Sequence, residues 1–117
     1  MANIISEPGI GGQTWYYENG EFIGWSVQGL LGETLYYDRN DTYVGESIDD
    51  LLGDTVFYDN NGDYLGAGTD IFGETIYEDS TGMDAGAGVS VGDSSVYEGN
   101  KGKRHGIFGK LFRRDDT

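Results

Sequence analysis

Gly53-Asp54-Thr55-Val56-Phe57-Tyr58-Asp59-Asn60-Asn61-Gly62-Asp63-Tyr64-Leu65-Gly66 is the stretch that decides the fold. Thr, Val, Phe and Tyr favour strands. Asn60-Asn61-Gly62 between the two apolar runs reads as a three-residue hairpin loop, with Gly62 in the left-handed conformation. A lone hairpin cannot bury its apolar face. Working outward, the pattern recurs. Gly12-Gln13-Thr14, Gly32-Glu33-Thr34, Gly53-Asp54-Thr55, Gly73-Glu74-Thr75 and Gly92-Asp93-Ser94 open five units at spacings of 20, 21, 20 and 19 residues. An aromatic-rich run follows each start, then an acid, a turn, an apolar pair and, in the regular copies, Gly24, Gly45, Gly66 or Gly86. Repeats of this length form arrays in which neighbouring units bury each other's faces.

The turns set a register. Asn19-Gly20 is a two-residue type I′ turn, and Ser80-Thr81-Gly82 and Arg39-Asn40-Asp41 repeat the three-residue design, Asp41 standing in for Gly. Tyr17 is then expected to face Phe22, Tyr37 to face Tyr43 and Tyr58 to face Tyr64. On the other face Tyr16 meets Ile23, Tyr36 meets Val44 and Phe57 meets Leu65, which leaves Trp15, Leu35, Val56 and Ile76 each opposite a Gly. Both faces are rather apolar, and the linkers Leu30-Leu31, Leu51-Leu52, Ile71-Phe72 and Val91 are expected to fold back over one of them. The fold class expected is all-β: about five tandem β-hairpins, stacked as a solenoid or running as an antiparallel meander that curls toward a barrel. The chain divides into a lead-in (1–11), an acidic repeat body (12–98) and a basic C-terminal cap (99–117). In that cap Ile107-Phe108-Gly109 echoes Ile71-Phe72-Gly73, so it reads as a partial sixth unit, with Leu111-Phe112 closing the stack.

Composition narrows the function. The 117 residues include nine Tyr, five Phe and two Trp, enough apolar mass to fold, and 21 Gly without collagen spacing. With no Cys there is neither a disulfide nor a thiolate metal site. No run approaches the ~18 apolar residues of a membrane helix, and Met1-Ala2-Asn3-Ile4 lacks the basic start of a secretory signal, so a cytoplasmic location is expected. Residues 1–98 carry nineteen acids against one base, Arg39, a net −18, whereas residues 99–117 carry six bases and two acids, a net +4. The only His is His105, outside the body, which excludes Ser/His/Asp chemistry there. No enzyme activity and no cofactor are expected. Asp59-Asn60-Asn61-Gly62-Asp63 is oxygen-rich, but Asp70 stands where a calcium loop needs its twelfth-position Glu, and turn chemistry accounts for every residue, so no metal is assigned.

The acids keep the repeat's register. Glu33, Asp54, Glu74 and Asp93 form one set, and Glu18, Asp38, Asp59 and Asp79 another. Stacked hairpins would add ~9.6 Å per unit. Five units with the body's charge then approach, within about a factor of two, the one charge per ~1.7 Å of duplex DNA. The expected partner is a protein with a basic surface, such as a nucleic-acid-binding protein or nuclease complex, with no direct contact to nucleic acid or membrane and the oligomeric state open. Lys103, Arg104, Arg113 and Arg114 of the tail are expected to cap the stack and pair with body acids.

Trp15-Tyr16-Tyr17-Glu18-Asn19-Gly20-Glu21-Phe22-Ile23-Gly24-Trp25 resembles the choline- and glucan-binding repeats of bacterial surface proteins. That resemblance implies a hairpin solenoid with aromatic cages for choline or sugar, and here an aromatic site of Trp15, Tyr17 and Trp25. Later units carry Leu35, Val56 and Ile76 in place of Trp15, and Glu46, Ala67 and Ala87 in place of Trp25. The Tyr-Tyr-x-x-x-Gly-x-x-x-Gly rhythm is also similar to MORN-type repeats. By size and acidity the chain resembles phage- or mobile-element-encoded inhibitors of host defence nucleases, such as anti-restriction or anti-CRISPR proteins. Three functions stand as expectations: an acidic inhibitor of a basic partner, a choline- or carbohydrate-binding module, and a self-assembling structural repeat.

Overall fold

The computed structural model describes residues 3–92, 94–98 and 106–112. Ten antiparallel strands form a closed barrel: β1 (Asn3–Pro8), β2 (Thr14–Glu18), β3 (Glu21–Gln28), β4 (Thr34–Asp38), β5 (Tyr43–Asp49), β6 (Thr55–Asp59), β7 (Tyr64–Ile71), β8 (Glu74–Asp79), β9 (Asp84–Val91) and β10 (Ser94–Glu98). Each strand pairs with its neighbours in sequence, and β1 pairs with β10 to seal the cylinder. A 3-10 turn, Ile10–Gly12, joins β1 to β2, and a short helix, α1 (Gly106–Leu111), follows β10. The chain is all-β, as the repeat implies, but a barrel replaces the stacked solenoid. Its extents of 34 × 33 × 30 Å leave no rod along which acids could run in rows.

The hairpin turns follow their local chemistry. Asn19 and Gly20 both have positive φ (51° and 83°), as a type I′ turn requires. Asp41, Gly62 and Gly82 take the left-handed position of the three-residue loops (φ 64°, 83° and 85°). Tyr17 faces Phe22, Tyr37 faces Tyr43 and Tyr58 faces Tyr64, each pair edge to face at 5.8–6.3 Å.

Beyond these pairs the register departs from expectation. Tyr16, Tyr36 and Phe57 oppose Gly24, Gly45 and Gly66, not Ile23, Val44 and Leu65, and Trp15, Leu35, Val56 and Ile76 oppose Trp25, Glu46, Ala67 and Ala87. A bulge at the same place in each hairpin inserts the extra residue. Bulges bend a strand and raise its twist, which closing a barrel demands. The bulge also turns two consecutive residues to the inside, so Ile23 and Val44 are buried beside their glycines.

Those glycines make room for α1. Phe112 lies against Gly24, Leu111 against Gly45 and Ile107 against Gly66. A barrel of about eight strands is filled by its own side chains, and ten strands enclose more volume. Here Ile107, Phe108, Leu111 and Phe112, all fully buried, fill the excess. Phe108 stands inside a ring of aromatics, one per unit: Tyr16, Tyr36, Phe57, Tyr77 and Tyr97, with centroids 4.2–6.2 Å away. The C-terminal segment thus closes the core, with Leu111-Phe112 buried as the sequence suggests, but as a helix within the barrel and not as a sixth hairpin.

Two further expectations change. The lead-in is no lead-in: β1 is the missing second strand of the fifth unit. Ser6 opposes Tyr16 as Ser26 opposes Tyr36, and Ile4 holds the place of Gly24. Nor do the linkers fold back. Leu30, Leu51 and Phe72 are 104–105% exposed, and Leu31 and Leu52 are nearly so. With α1 filling the lumen, no apolar face is left for the linkers to cover.

Candidate functional site

The barrel has two unlike ends. The tight hairpin turns and α1 occupy one. The five linkers, described at residues 9–13, 29–33, 50–54, 72–73 and 92, surround the other, the mouth. At the turn end, Asp59 Oδ1 accepts the Asn61 and Asp63 backbone N–H groups at 2.8 and 3.0 Å. Asp38 does the same for Asn40 and Thr42, and Asp79 for Thr81 and Met83. These three acids hold their turns together, and Glu18, in the equivalent place of the first hairpin, is buried. Asp59→Ala therefore orphans two turn amides and is expected to cost about 1–2 kcal/mol. Thermal unfolding followed by circular dichroism should show Asp59→Asn, which keeps the acceptor, losing less than half as much.

Glu33, Asp54 and Glu74 lie at the mouth instead, so the two sets of acids sit at opposite ends; Asp93 lies outside the described residues. Here too acids organise backbone. Glu33 Oε1 accepts the Leu31 amide, and Asp50 Oδ1 accepts those of Leu52 and Asp54. The linkers so fixed point their apolar residues into solvent. Ile10, Leu30, Leu31, Leu51, Leu52, Ile71, Phe72 and Val91 form a crown around the mouth, every one at least half exposed. Phe72 sits at φ 52° in the two-residue turn Phe72-Gly73. A bulky residue in the left-handed region is strained, and Asn or Gly is what this turn prefers.

Inside the crown lies a basin. Thr14, Thr34, Thr55 and Thr75, the third residues of their Gly-x-Thr starts, line its upper wall with Ser95, which stands two residues before Tyr97 as Thr14 stands before Tyr16. Lower down, tyrosine and serine hydroxyls pair: Tyr16 with Ser26 at 3.0 Å, Tyr36 with Ser47 at 2.9 Å, and Ser6 with Tyr97 at 3.3 Å. Phe57 has no hydroxyl, and the matching wall position is Gly68, not Ser. Two adjoining compartments of about 510 and 260 Å³ share Tyr16, Gln28, Thr34, Tyr36 and Tyr97, with Phe57 and Phe108 beneath the smaller. Burial pushes the Tyr16, Tyr36 and Tyr77 phenols well up, so they keep their protons.

Trp15, Tyr17 and Trp25 come together on the outer wall, Trp15 directly across from Trp25. Their rings are spent on neighbours. Trp15 covers Gly9 and donates to Gln13 at 2.9 Å, and Trp25 stacks on Tyr37 at 4.4 Å and donates to Asp41 at 2.8 Å. Tyr17 leans edge-on against Phe22. Lys103, Arg104, Arg113 and Arg114 lie outside the described residues. Among the described residues, no group of three or more His, Asp or Glu could hold a metal ion, and no helix is long and apolar enough to cross a membrane. The expected sites did not include the crown or the basin. Their signals were the unburied linker leucines and the hydroxyl at a fixed place in each unit. Comparisons with protein-family models, curated proteins and solved structures return no match to this chain.

Proposed function

We propose that this chain is a non-enzymatic interaction protein that docks, mouth first, onto a basic surface of a partner protein. The observation that carries the reading is the crown. Eight large apolar side chains at one end far exceed the scattered exposure usual on a surface, and contiguous patches of this kind mark docking sites. Acids interleave with them: Glu33, Asp49, Asp50, Asp54, Asp70 and Glu74. Within residues 3–98 the one base, Arg39, pairs with Glu21 at the far end. Apolar anchors set among uncompensated acids suit a surface with apolar pockets among lysines and arginines. Nucleic-acid-binding proteins and nuclease complexes offer such surfaces, which keeps the inhibitor reading without requiring a rod that imitates DNA.

The test combines stability with binding. Phe72→Asn should relieve the left-handed strain and raise stability by up to about 1 kcal/mol. The triple variant Leu30→Ser, Leu51→Ser, Phe72→Asn should fold normally, because exposed sites tolerate substitution, and lose partner binding by a hundredfold or more. Partner binding should also weaken steeply between 50 and 500 mM salt, and duplex DNA should compete for it, as buffers of about these strengths separate screened from unscreened charge. Equal binding by the triple variant, or binding indifferent to salt, would overturn the proposal.

A further inference from the structure

We infer that the basin within the mouth binds a small alkylammonium ion, either a free amine or a basic side chain reaching in. The basin is separate from the crown that surrounds it, and this inference stands whether or not the docking reading does.

Hydrogen-bond bookkeeping selects the class. Each lining hydroxyl offers one proton and two lone pairs. The Tyr16–Ser26, Tyr36–Ser47 and Ser6–Tyr97 pairs each spend one proton internally. Gln28 spends an amide proton on Thr34, and Thr55 spends its own on Asp49. Asp49, across from Thr55 on the inner face, accepts only. No lining residue is Lys, Arg or His. Each pair keeps one proton against three lone pairs, so acceptors outnumber donors on the wall, and its complement is a group with several N–H donors and a positive charge.

The shape agrees. Below the oxygen-lined wall the smaller compartment ends on Phe57 and Phe108, apolar surface that suits methylene groups. A concave site in a strongly acidic body focuses negative potential, which excludes anions and concentrates cations. A neutral polyol would meet the same acceptors without gaining from the charge. A cation bearing an alkyl stem uses both the wall and the floor.

Spermidine and n-butylamine are suitable probes, with xylitol as the uncharged control, in isothermal titration at 150 mM salt. Spermidine should bind saturably with one site per chain. Asp49→Asn should weaken it tenfold or more. Thr34→Trp, which fills the rim shared by both compartments without altering charge, should abolish it. Asp63→Asn removes the same charge at the turn end and should leave binding unchanged. A lysine-containing peptide that follows the same pattern of variants, with spermidine silent, would assign the cation to a partner's side chain and still support the inference. Near-UV circular dichroism establishes that Thr34→Trp folds, and the carboxylate variant decides alone if it does not. The inference fails if the carboxylate variant binds like the parent, if the turn-end variant weakens binding equally, or if xylitol binds as well as spermidine.

Discussion

Phe108→Ala is expected to lower stability by about 3–5 kcal/mol, the range for emptying a fully packed aromatic site. Phe108 is 4% exposed and touches the ring of one aromatic from every hairpin. Those five rings come from strands spread around the whole barrel, so none can move into the vacancy without opening a ladder. Two features push the cost upward. Phe108 also underlies the smaller compartment, so water gains a path to the hole. The phenols around it are buried and protonated, and their packing relies on its ring. A domain of this size is stable by about 5–15 kcal/mol, so the variant should stay folded with a melting temperature about 10–20 °C lower. Ending the chain after Glu98 goes further, since it removes all four buried side chains of the C-terminal segment. That shortened chain should keep strand signal in the far-UV, lose its near-UV aromatic signal and bind a hydrophobic dye, the marks of a collapsed but unpacked barrel. If it melts cooperatively at the parent temperature, α1 is an ornament and the reading of the core is wrong.

What could be read from the chain before folding divides by distance along it. Turns were legible because their chemistry is local: Asn19-Gly20, Gly62 and Gly82 supply the positive φ that their loops need. Pairs next to the turns were legible for the same reason. The bulge was not, since it answers to the curvature of the closed sheet and leaves no mark in one hairpin. Closure was not, since it depends on β1 meeting β10 some ninety residues away. A trace existed nevertheless. Ser26 precedes Thr34 by eight residues, Ser47 precedes Thr55 by eight, and Ser6 precedes Thr14 by eight, which places 3–8 in the repeat.

Similar triplets also took different structures. Ile71-Phe72-Gly73 ends a strand and makes an exposed turn, whereas Ile107-Phe108-Gly109 is helical and buried. Local propensity favours neither strongly. The lumen decides, because ten strands enclose a volume that only a further apolar segment can fill. That competition also explains the linker leucines: the helix took the interior that hydrophobicity alone assigned to them. The acids misled in the opposite way. Asp38, Asp59 and Asp79 repeat because each repeat has a turn to hold, a structural cause that a count of charges cannot distinguish from a binding row. The basin was hidden for want of a barrel. Its threonines and tyrosines recur visibly, but only closure turns them toward one another.

Gly45→Ala and Gly66→Ala are expected to cost about 3 kcal/mol or more each, against the usual sign for the substitution. Replacing Gly by Ala removes freedom from the unfolded chain and stabilises by about 0.4–1 kcal/mol where the site accepts a methyl group. These sites do not. A Cβ at Gly45 would press into the carbonyl oxygen of Tyr58 on the neighbouring strand and stand 2.8 Å from Leu111 Cδ1; at Gly66 it would meet the carbonyl of Glu78 and stand 2.9 Å from Ile107 Cδ1. A side-chain tip could swing aside, whereas the carbonyl belongs to the barrel ladder, and shifting it strains β5–β6 or β7–β8 pairing. Leu111→Ala should therefore rescue Gly45→Ala little, as it relieves the softer of the two contacts. Gly62→Asn is the control: it lies in a turn at φ 83° with nothing near its Cβ position, and Asn tolerates that conformation at small cost. Urea unfolding of the set should place Gly62→Asn within about 1 kcal/mol of the parent and both core variants far below it. Parent-like stability of Gly45→Ala and Gly66→Ala would mean that neither the neighbouring carbonyl nor the helix comes this close to the glycines, and the reading of the barrel interior would be wrong.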